Sequence, residues 1–452
     1  MAGARKNTGV PVPHTRAIQA DRRRHLPSLP PPQELEQRIE QLLLPAFLAQ
    51  RGLFRALGLR ERVLTLPATA ALVISLIWQH LGSLGDAVRA LQYHGLLWTE
   101  KIFVTRQSVA ERLRTLPASL FHAAFEQIAD TVAYRARQRR SYCAGSSLQQ
   151  RAIEHFSDVL IADASTLDAL SRKLALVQRP VGETQDAVRP LLAGKMLGLL
   201  DALTRQPRAV FYEAAAETNE QCFWDRIIEA LPVGGLLLVD MGFCNYARFE
   251  QLASQGKWVL TRLKSNAHFQ VITELDAPAG IRDQLVNIGS KHHRITMPMR
   301  VITETVKGVE HRYLTNLLDP AHLAAGDARG LYALRWRIED AFSLVKRLLG
   351  LAYLHACSQN AVELQLWATW IMYAALVDLR AELAEKLELP AERLSVTMIY
   401  KAIYYYSCIC LSGEKHGLIE FLAANAKGLG IIKYKRKTWS AFDTPLKSTL
   451  EP

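Results

Sequence analysis

A phenol, two cations and one carboxylate recur at regular spacing along Leu331–Gly350, LYALRWRIEDAFSLVKRLLG: Tyr332, Arg335, Glu339 and Lys346, at offsets of 0, 3, 7 and 14. At about 100° of rotation per residue these offsets fall within about 60° of one another, so a single helical stripe carries all four. A hydrophobic core has little use for that set. Beside a phosphodiester it makes chemical sense. Glu339 is a hard oxygen ligand for a divalent cation, and Arg335, Lys346 and Tyr332 offer donors to phosphate oxygens.

Two further acids stand in comparable places. Asp163 closes the apolar run in FSDVLIADAST, and Asp240 closes that in GGLLLVDMGF. Both runs read as strands, and carboxylates at strand ends sit at the sheet rim, where ligands of α/β proteins gather. Three acids from separate elements that meet at one rim suit a pair of Mg²⁺ or Mn²⁺ ions about 4 Å apart. Hard oxygen donors favour these metals over zinc. Taken singly, each acid has a plainer role: Asp163 as a cap of the turn DAST, Asp240 as a partner in the turn DMGF, Glu339 as an ion-pair partner of Arg335 four residues away. The joint pattern of two strand-end acids followed by the helical stripe favours chemistry.

The elements that must position these residues can be read along the chain. Residues 1–33 are rich in Pro and Arg, with six Lys or Arg against the single acid Asp21 before His25, and read as a flexible basic tail. Residues 34–140 read as helices that bind DNA. Within TRQSVAERLRTLP, Thr105 or Ser108 caps a short helix that is similar to part of a helix-turn-helix, with Arg106, Gln107, Arg112 and Arg114 in reach of DNA; an ordinary helical hairpin reads equally well. Arg135, Arg137, Arg139 and Arg140 precede a Ser/Gly/Gln boundary, Ser141–Gln150. From 151 to 360 strands and helices alternate: a hairpin around TRQP, then strand GGLLLVDMGF, helix NYARFEQLASQG and strand KWVLTRLKSN, which predicts a mixed α/β sheet. A β-rich stretch at about 267–325 reads as an insertion, and residues 361–452 as a helical region with a basic-aromatic tail, Lys433-Tyr434-Lys435-Arg436-Lys437 and Trp439.

Composition sets the outer bounds. The 452 residues carry a formal net charge of +12 with 49% hydrophobic content. That excludes wholesale disorder and argues for an anionic partner, nucleic acid first. The six cysteines form no CxxC and no disulfide framework, so a zinc ribbon is disfavoured and a reducing cytosol is expected. No apolar run is long enough to span a bilayer. A soluble protein of the cytoplasm, at the nucleoid, follows.

Tyr332-x2-Arg335-x3-Glu339-x6-Lys346 resembles, without a gap, the Tyr-Arg-Glu-Lys signature of bacterial insertion-sequence transposases of the insertion-sequence-four type. IADAST, VDMGF, VLTRLKSN and YLTNLL resemble that family's surrounding text, over about residues 150–380. The resemblance implies a DDE enzyme on a ribonuclease-H-like mixed sheet. Asp163, Asp240 and Glu339 would be the metal-binding catalytic triad, with Mg²⁺ or Mn²⁺, as two ions. Tyr332, Arg335 and Lys346 would contact phosphates near the cleaved end. Arg262, Lys264 and the run Lys291-His292-His293-Arg294 would be backbone contacts. Double-stranded DNA, as terminal inverted repeats and as target, would be the partner, with two protomers meeting in a synaptic complex. The β-rich stretch would match the family's insertion, where cut ends are held as hairpins. Some relatives stack a flipped base on a Trp there; this chain has no Trp between Trp258 and Trp336, which leaves His268, Phe269 or Tyr313 for that role.

Four rival readings face this one. A tyrosine recombinase needs His-x-x-Arg, and none of the thirteen histidines has Arg three residues later. A metal-dependent nuclease without strand transfer would use the same acids. A transposase-derived DNA-binding protein that has lost catalysis would have had no need of all three acids. A nucleotide-binding enzyme lacks GxxxxGK.

Overall fold

The computed structural model describes residues 32–139, 146–168, 192–264, 266–289, 298–351, 353–356, 358–414 and 416–433. Among these residues seven helices come first: α1 (Gln33–Ala49), α2 (Arg51–Ala56), α3 (Leu66–Trp78), α4 (Leu84–Tyr93), α5 (Arg106–Thr115), α6 (Ser119–Gln138) and α7 (Ser147–His155). Local chemistry marks their starts. Thr65, Ser83, Thr105 and Ser146 each accept a backbone N–H of the first turn of α3, α4, α5 and α7. Of the two caps foreseen for α5, Thr105 does the work. α3 is buried almost throughout, as its apolar sequence requires.

The sheet strands follow: β1 (Val159–Asp168), β2 (Leu192–Asp201), β3 (Pro207–Glu213), then helix α8 (Trp224–Ala230), β4 (Leu236–Val239), α9 (Tyr246–Ser254), β5 (Trp258–Arg262), β6 (Phe269–Leu275), β7 (Ile281–Ile288), β8 (Met299–Val306) and β9 (Val309–Thr315). They form one nine-stranded sheet in the order β3-β2-β1-β4-β5-β9-β8-β7-β6. β1 pairs antiparallel with β2 and parallel with β4, which pairs parallel with β5. The β-rich stretch joins this sheet directly, because β9 pairs antiparallel with β5. Its first strand, β6, is exposed along most of its length and had no signal in the sequence reading.

The sheet divides two cores. Val159, Ile161, Leu236 and Leu238 pack toward the terminal helices, whereas Leu160, Ala162, Leu237 and Val239 pack with Phe223, Trp224 and Phe249 on the side of α8 and α9. Buried on both faces, β4 and residues 159–162 of β1 must read as unbroken apolar runs. Strand alternation then decides where the acids point. Asp163 continues the odd positions of β1 and Asp240, one residue past β4, continues the even positions of that strand. Both therefore look toward the terminal-helix face.

The stretch Leu331–Gly350 is not the one regular helix that its periodicity suggests. It is divided into α10 (Ala328–Ala333), a 3₁₀ turn (Leu334–Trp336), α11 (Arg337–Ser343) and a π turn (Leu344–Leu348). Such switches of pitch inside a helical run concentrate at functional sites. α11 lies close on the sheet because Gly198, register partner of Asp163, has no side chain: a Cβ there would sit 3.2 Å from the Phe342 ring. Three helices come last among the described residues: α12 (Gln359–Lys386), buried on nearly every side, α13 (Val396–Leu411) and α14 (Leu418–Ala424). α12 packs against α3, α5 and α6, so the first and last thirds of the chain share one core. Among the described residues no helix is long and apolar enough to cross a membrane.

Candidate active site

Despite the broken helix, the stripe residues come together beside Asp163 and Asp240; Asp163 does not end its strand as the apolar run suggests but lies inside β1, which continues along β2 to Asp168 after its pairing with β4 stops at Ala162. Arg335 Nη1 donates to Asp163 Oδ2 at 3.2 Å and lies 3.6 Å from Glu339 Oε1. Tyr332 Oη donates to Asp240 Oδ1 at 3.3 Å. Lys346 Nζ donates to the Thr166 carbonyl at 2.6 Å, further along β1. One guanidinium nitrogen thus joins an acid of β1 to the acid of α11, and one phenol reaches the acid after β4.

Burial sets the electrostatics. Asp163 has 15% of its side chain exposed and its carboxyl is pushed up to about 7. Desolvation is the main cause; the Arg335 charge opposes it, and Glu339 and Glu220 add to it. Tyr332 is pushed up to about 12 by burial, so its phenol keeps its proton and remains a donor at neutral pH. Its ring lies 5.5 Å from that of Tyr313. Arg335 is 6% exposed and its Nε has no hydrogen-bond partner among the described residues, as is also true of Arg262 Nε. A buried guanidinium N–H without an acceptor is costly unless a ligand supplies one.

The other residues singled out in the sequence fare differently. Arg262 ends β5 opposite Tyr313, and Lys264 is exposed just beyond it. Tyr313 is 3% exposed and cannot offer its face to a base; His268 is exposed and Phe269 is half-buried against the core. Trp336, passed over in the sequence reading, is 64% exposed with the Arg335 guanidinium 5.0 Å from its ring centre. The run Lys291–Arg294, Arg140 and residues 434–439 of the tail lie outside the described residues. Arg106 and Gln107 are exposed, but Arg112 is stacked over Phe54 and Arg114 is paired with Glu111. Arg135 and Arg139 both close on Asp378 of α12, and Arg137 lies 3.7 Å from Asp158, so that basic run clamps helices together.

The donor chemistry suits a divalent cation. All three acids offer hard oxygens, a cationic nitrogen sits between Asp163 and Glu339, and the raised Asp163 carboxyl is short of positive charge. Among the described residues no group of three His, Cys, Asp or Glu side chains is closed into a ready metal cage. The donors fit the ion; Arg335 stands in part of its place.

This rim belongs to a known class of domain. Residues 154–375 match the family model of the transposase DDE domain. The chain is similar to DDE-type transposases of insertion sequences. It is 31% identical over 155 residues to a protein of Sinorhizobium fredii assigned as a transposase, and the match spans 32% of this chain and 43% of that one. It is 25% identical over 209 residues to a protein of a Synechocystis species assigned as the transposase of an insertion sequence element, spanning 45% and 55% of the two chains. A protein of Geobacillus stearothermophilus with a similar assignment is 27% identical over 147 residues, spanning 31% and 38%. The matches thus cover about half or less of these relatives. A solved piggyBac transposase synaptic complex with hairpin DNA aligns over 90% of this chain and 85% of that one, at 11% identity and a TM-score of 0.42, a likeness too distant to define the fold.

Proposed function

We propose that the protein is a transposase of the insertion-sequence-four type that cuts DNA at transposon ends and joins the freed 3′-hydroxyl to target DNA. The observation that carries this reading is the arrival of Asp163, Asp240, Glu339, Tyr332 and Arg335 at one sheet rim inside the matched domain. In this reading residues 151–360 are a ribonuclease-H-like catalytic domain, supported by the order β3-β2-β1-β4-β5 with three antiparallel and then two parallel strands. The β-rich stretch at 267–325 is its insertion, residues 34–140 form the helical DNA-binding domain after the basic tail 1–33, and residues 361–452 form the helical C-terminal region.

Asp163, Asp240 and Glu339 would hold Mg²⁺ or Mn²⁺, as two ions. When bound, such ions activate water or a 3′-hydroxyl and stabilise the leaving oxygen. The chain's own residues do the positioning. Arg335 and Arg262 each keep an unused Nε donor for a phosphate oxygen. Tyr332 bridges from Asp240 toward that phosphate with its proton retained. Lys346, anchored on β1, and Lys264 add positive charge along the strand. Trp336 offers an exposed ring next to the scissile phosphate, fit for an unstacked base. The substrates are the terminal inverted repeats and a target duplex, two protomers meet in the synaptic complex, and the protein works in the cytoplasm at the nucleoid.

The test is cleavage of DNA carrying the flanking inverted repeats with Mg²⁺ or Mn²⁺, compared with Glu339→Ala. Metal-dependent cutting at the repeat end, lost in Glu339→Ala and followed by joining to a second DNA, supports the reading. Cutting without joining points to a nuclease. Tight end binding with no cutting under either metal points to a DNA-binding protein that has lost catalysis, and cutting that survives Glu339→Ala refutes the site.

A further inference from the structure

The segment between β3 and α8 carries an acid that neither the signature nor the three strand-and-helix acids include. Asn219 caps a short 3₁₀ turn, Glu220–Phe223, its side chain accepting from Gln221 N at 3.1 Å. Gln221 fastens this turn to the loop that follows Asp240. Its Nε2 donates to the Gly242 carbonyl at 2.9 Å, and its Oε1 accepts from Asn245 Nδ2 at 2.9 Å and from Trp224 Nε1 at 3.0 Å. Trp224 is fully buried, so the clamp is anchored in the second core.

The clamp sets Glu220 over the Asp240 loop. Glu220 Oε2 lies 3.4 Å from the point where a Cβ on Gly242 would stand, so the glycine leaves room for the carboxylate. Lys195, on β2, donates to the Thr218 carbonyl and interacts with the Glu220 charge. The Glu220 carboxylate accepts no hydrogen bond and makes no ion pair among the described residues, yet it is half-buried and interacts with the charges of both Asp240 and Asp163. Burial raises its carboxyl, Lys195 opposes that shift and Asp240 adds to it. Like charges in a desolvated rim repel unless cations offset them; Lys195 is one such cation beside Glu220, and a divalent ion on the Asp240 side would be a second. Arg335 supplies a second, independent sign. Its buried Nε lacks an acceptor at the same rim, which points to an anionic ligand, and an anion can settle among carboxylates only with a cation between them.

We propose that Glu220 is a fourth carboxylate of this centre, on the Asp240 side, that helps to hold the divalent cation, and that Gln221 is its positioning residue. The proposal rests on the reading of Asp163, Asp240 and Glu339 as metal ligands. It extends the centre to a turn that lies between β3 and β4 in sequence.

The experiment is calorimetric titration of the full chain with Mn²⁺ alone, with no DNA, on the parent protein, Glu220→Gln, Glu220→Asp and Asp240→Asn, each paired with a metal-free melting curve. Glu220→Gln should weaken Mn²⁺ binding about tenfold or more, the scale on which supporting ligands act. Its metal-free melting temperature should hold or rise, since a repelled charge is gone, and Glu220→Asp should recover part of the affinity. Parent-like affinity in Glu220→Gln together with a loss in Asp240→Asn overturns the proposal and leaves the three-acid reading standing. Parent-like affinity in both overturns the two together. Weakened binding that Glu220→Asp does not restore, with a lowered metal-free melting temperature, also overturns it, because shape and not charge would then be what matters.

Discussion

Arg300 on β8 and Arg335 beside β1 are both nearly sealed from solvent, at 0% and 6% exposure, yet their guanidinium groups are used differently. Arg300 Nε and Nη2 donate to the two oxygens of Asp283, at 2.8 and 2.5 Å, and Nη1 donates to the Leu323 carbonyl at 2.8 Å. Nothing in that arrangement is open. Arg335 makes one 3.2 Å bond to Asp163, shares its charge with Glu339 and leaves Nε without an acceptor. The first arginine closes a structural joint between β7, β8 and the loop before α10. The second is held ready for something absent from the chain itself. A buried cation with complete partners stabilises a fold, whereas one with incomplete partners marks a place where a ligand completes them.

The contrast breaks most visibly at Arg300. Arg300→Ala should cost about 3–5 kcal/mol in chemical denaturation, because it leaves Asp283 charged, fully buried and unpaired. Activity per folded molecule should be unchanged, and a loss under about 1 kcal/mol would show that the pair is not a joint. At the other site the sign reverses. Glu339→Gln should slow end cleavage by about 100-fold or more, as loss of a group that stabilises developing charge does. The melting temperature should stay close to that of the parent, since that side chain is 46% exposed. Arg335→Ala should slow cleavage by about 10- to 100-fold, in the range of a removed supporting ligand. Arg335→Lys should recover little of that, because a point charge cannot offer the forked donors. An Arg335→Ala chain that melts far below the parent and cuts normally would place Arg335 with Arg300.

The smallest effect is a pH slope. In the folded chain burial, aided by Glu339 and Glu220 and opposed by Arg335, holds the Asp163 carboxyl at about 7, against 3.8 for a free carboxyl. Below pH 4 both folded and unfolded chains carry that proton and its stabilising effect is whole; it fades as pH rises through about 7. Metal-free melting should therefore weaken between about pH 4 and pH 7 from this group, and Asp163→Asn should flatten that part of the profile. A profile identical in the two proteins would mean that Asp163 is not desolvated as described.

Much of the rim was legible in the residues. The stripe spacing of Tyr332, Arg335, Glu339 and Lys346 survives because local periodicity alone puts them on one side of a helical run. The apolar runs before Asp163 and Asp240 are readable because strands buried on both faces admit no polar residue. Tertiary structure decided the rest. The close seating of α11 on the sheet depends on Gly198, a contact between segments more than a hundred residues apart in sequence. Whether a cation is free or engaged is equally non-local: Arg112, in reach of DNA by its place in the sequence, is stacked over Phe54 of α2. Trp336 and Glu220 carried no spacing signal. Only packing exposed the first ring, and only the Gln221 clamp set the second carboxylate beside Asp240. Sequence by itself determined which side chains share a local face, because that is geometry within one element. Partnership between elements depends on burial and register across the whole sheet, and those exist only once the chain has folded.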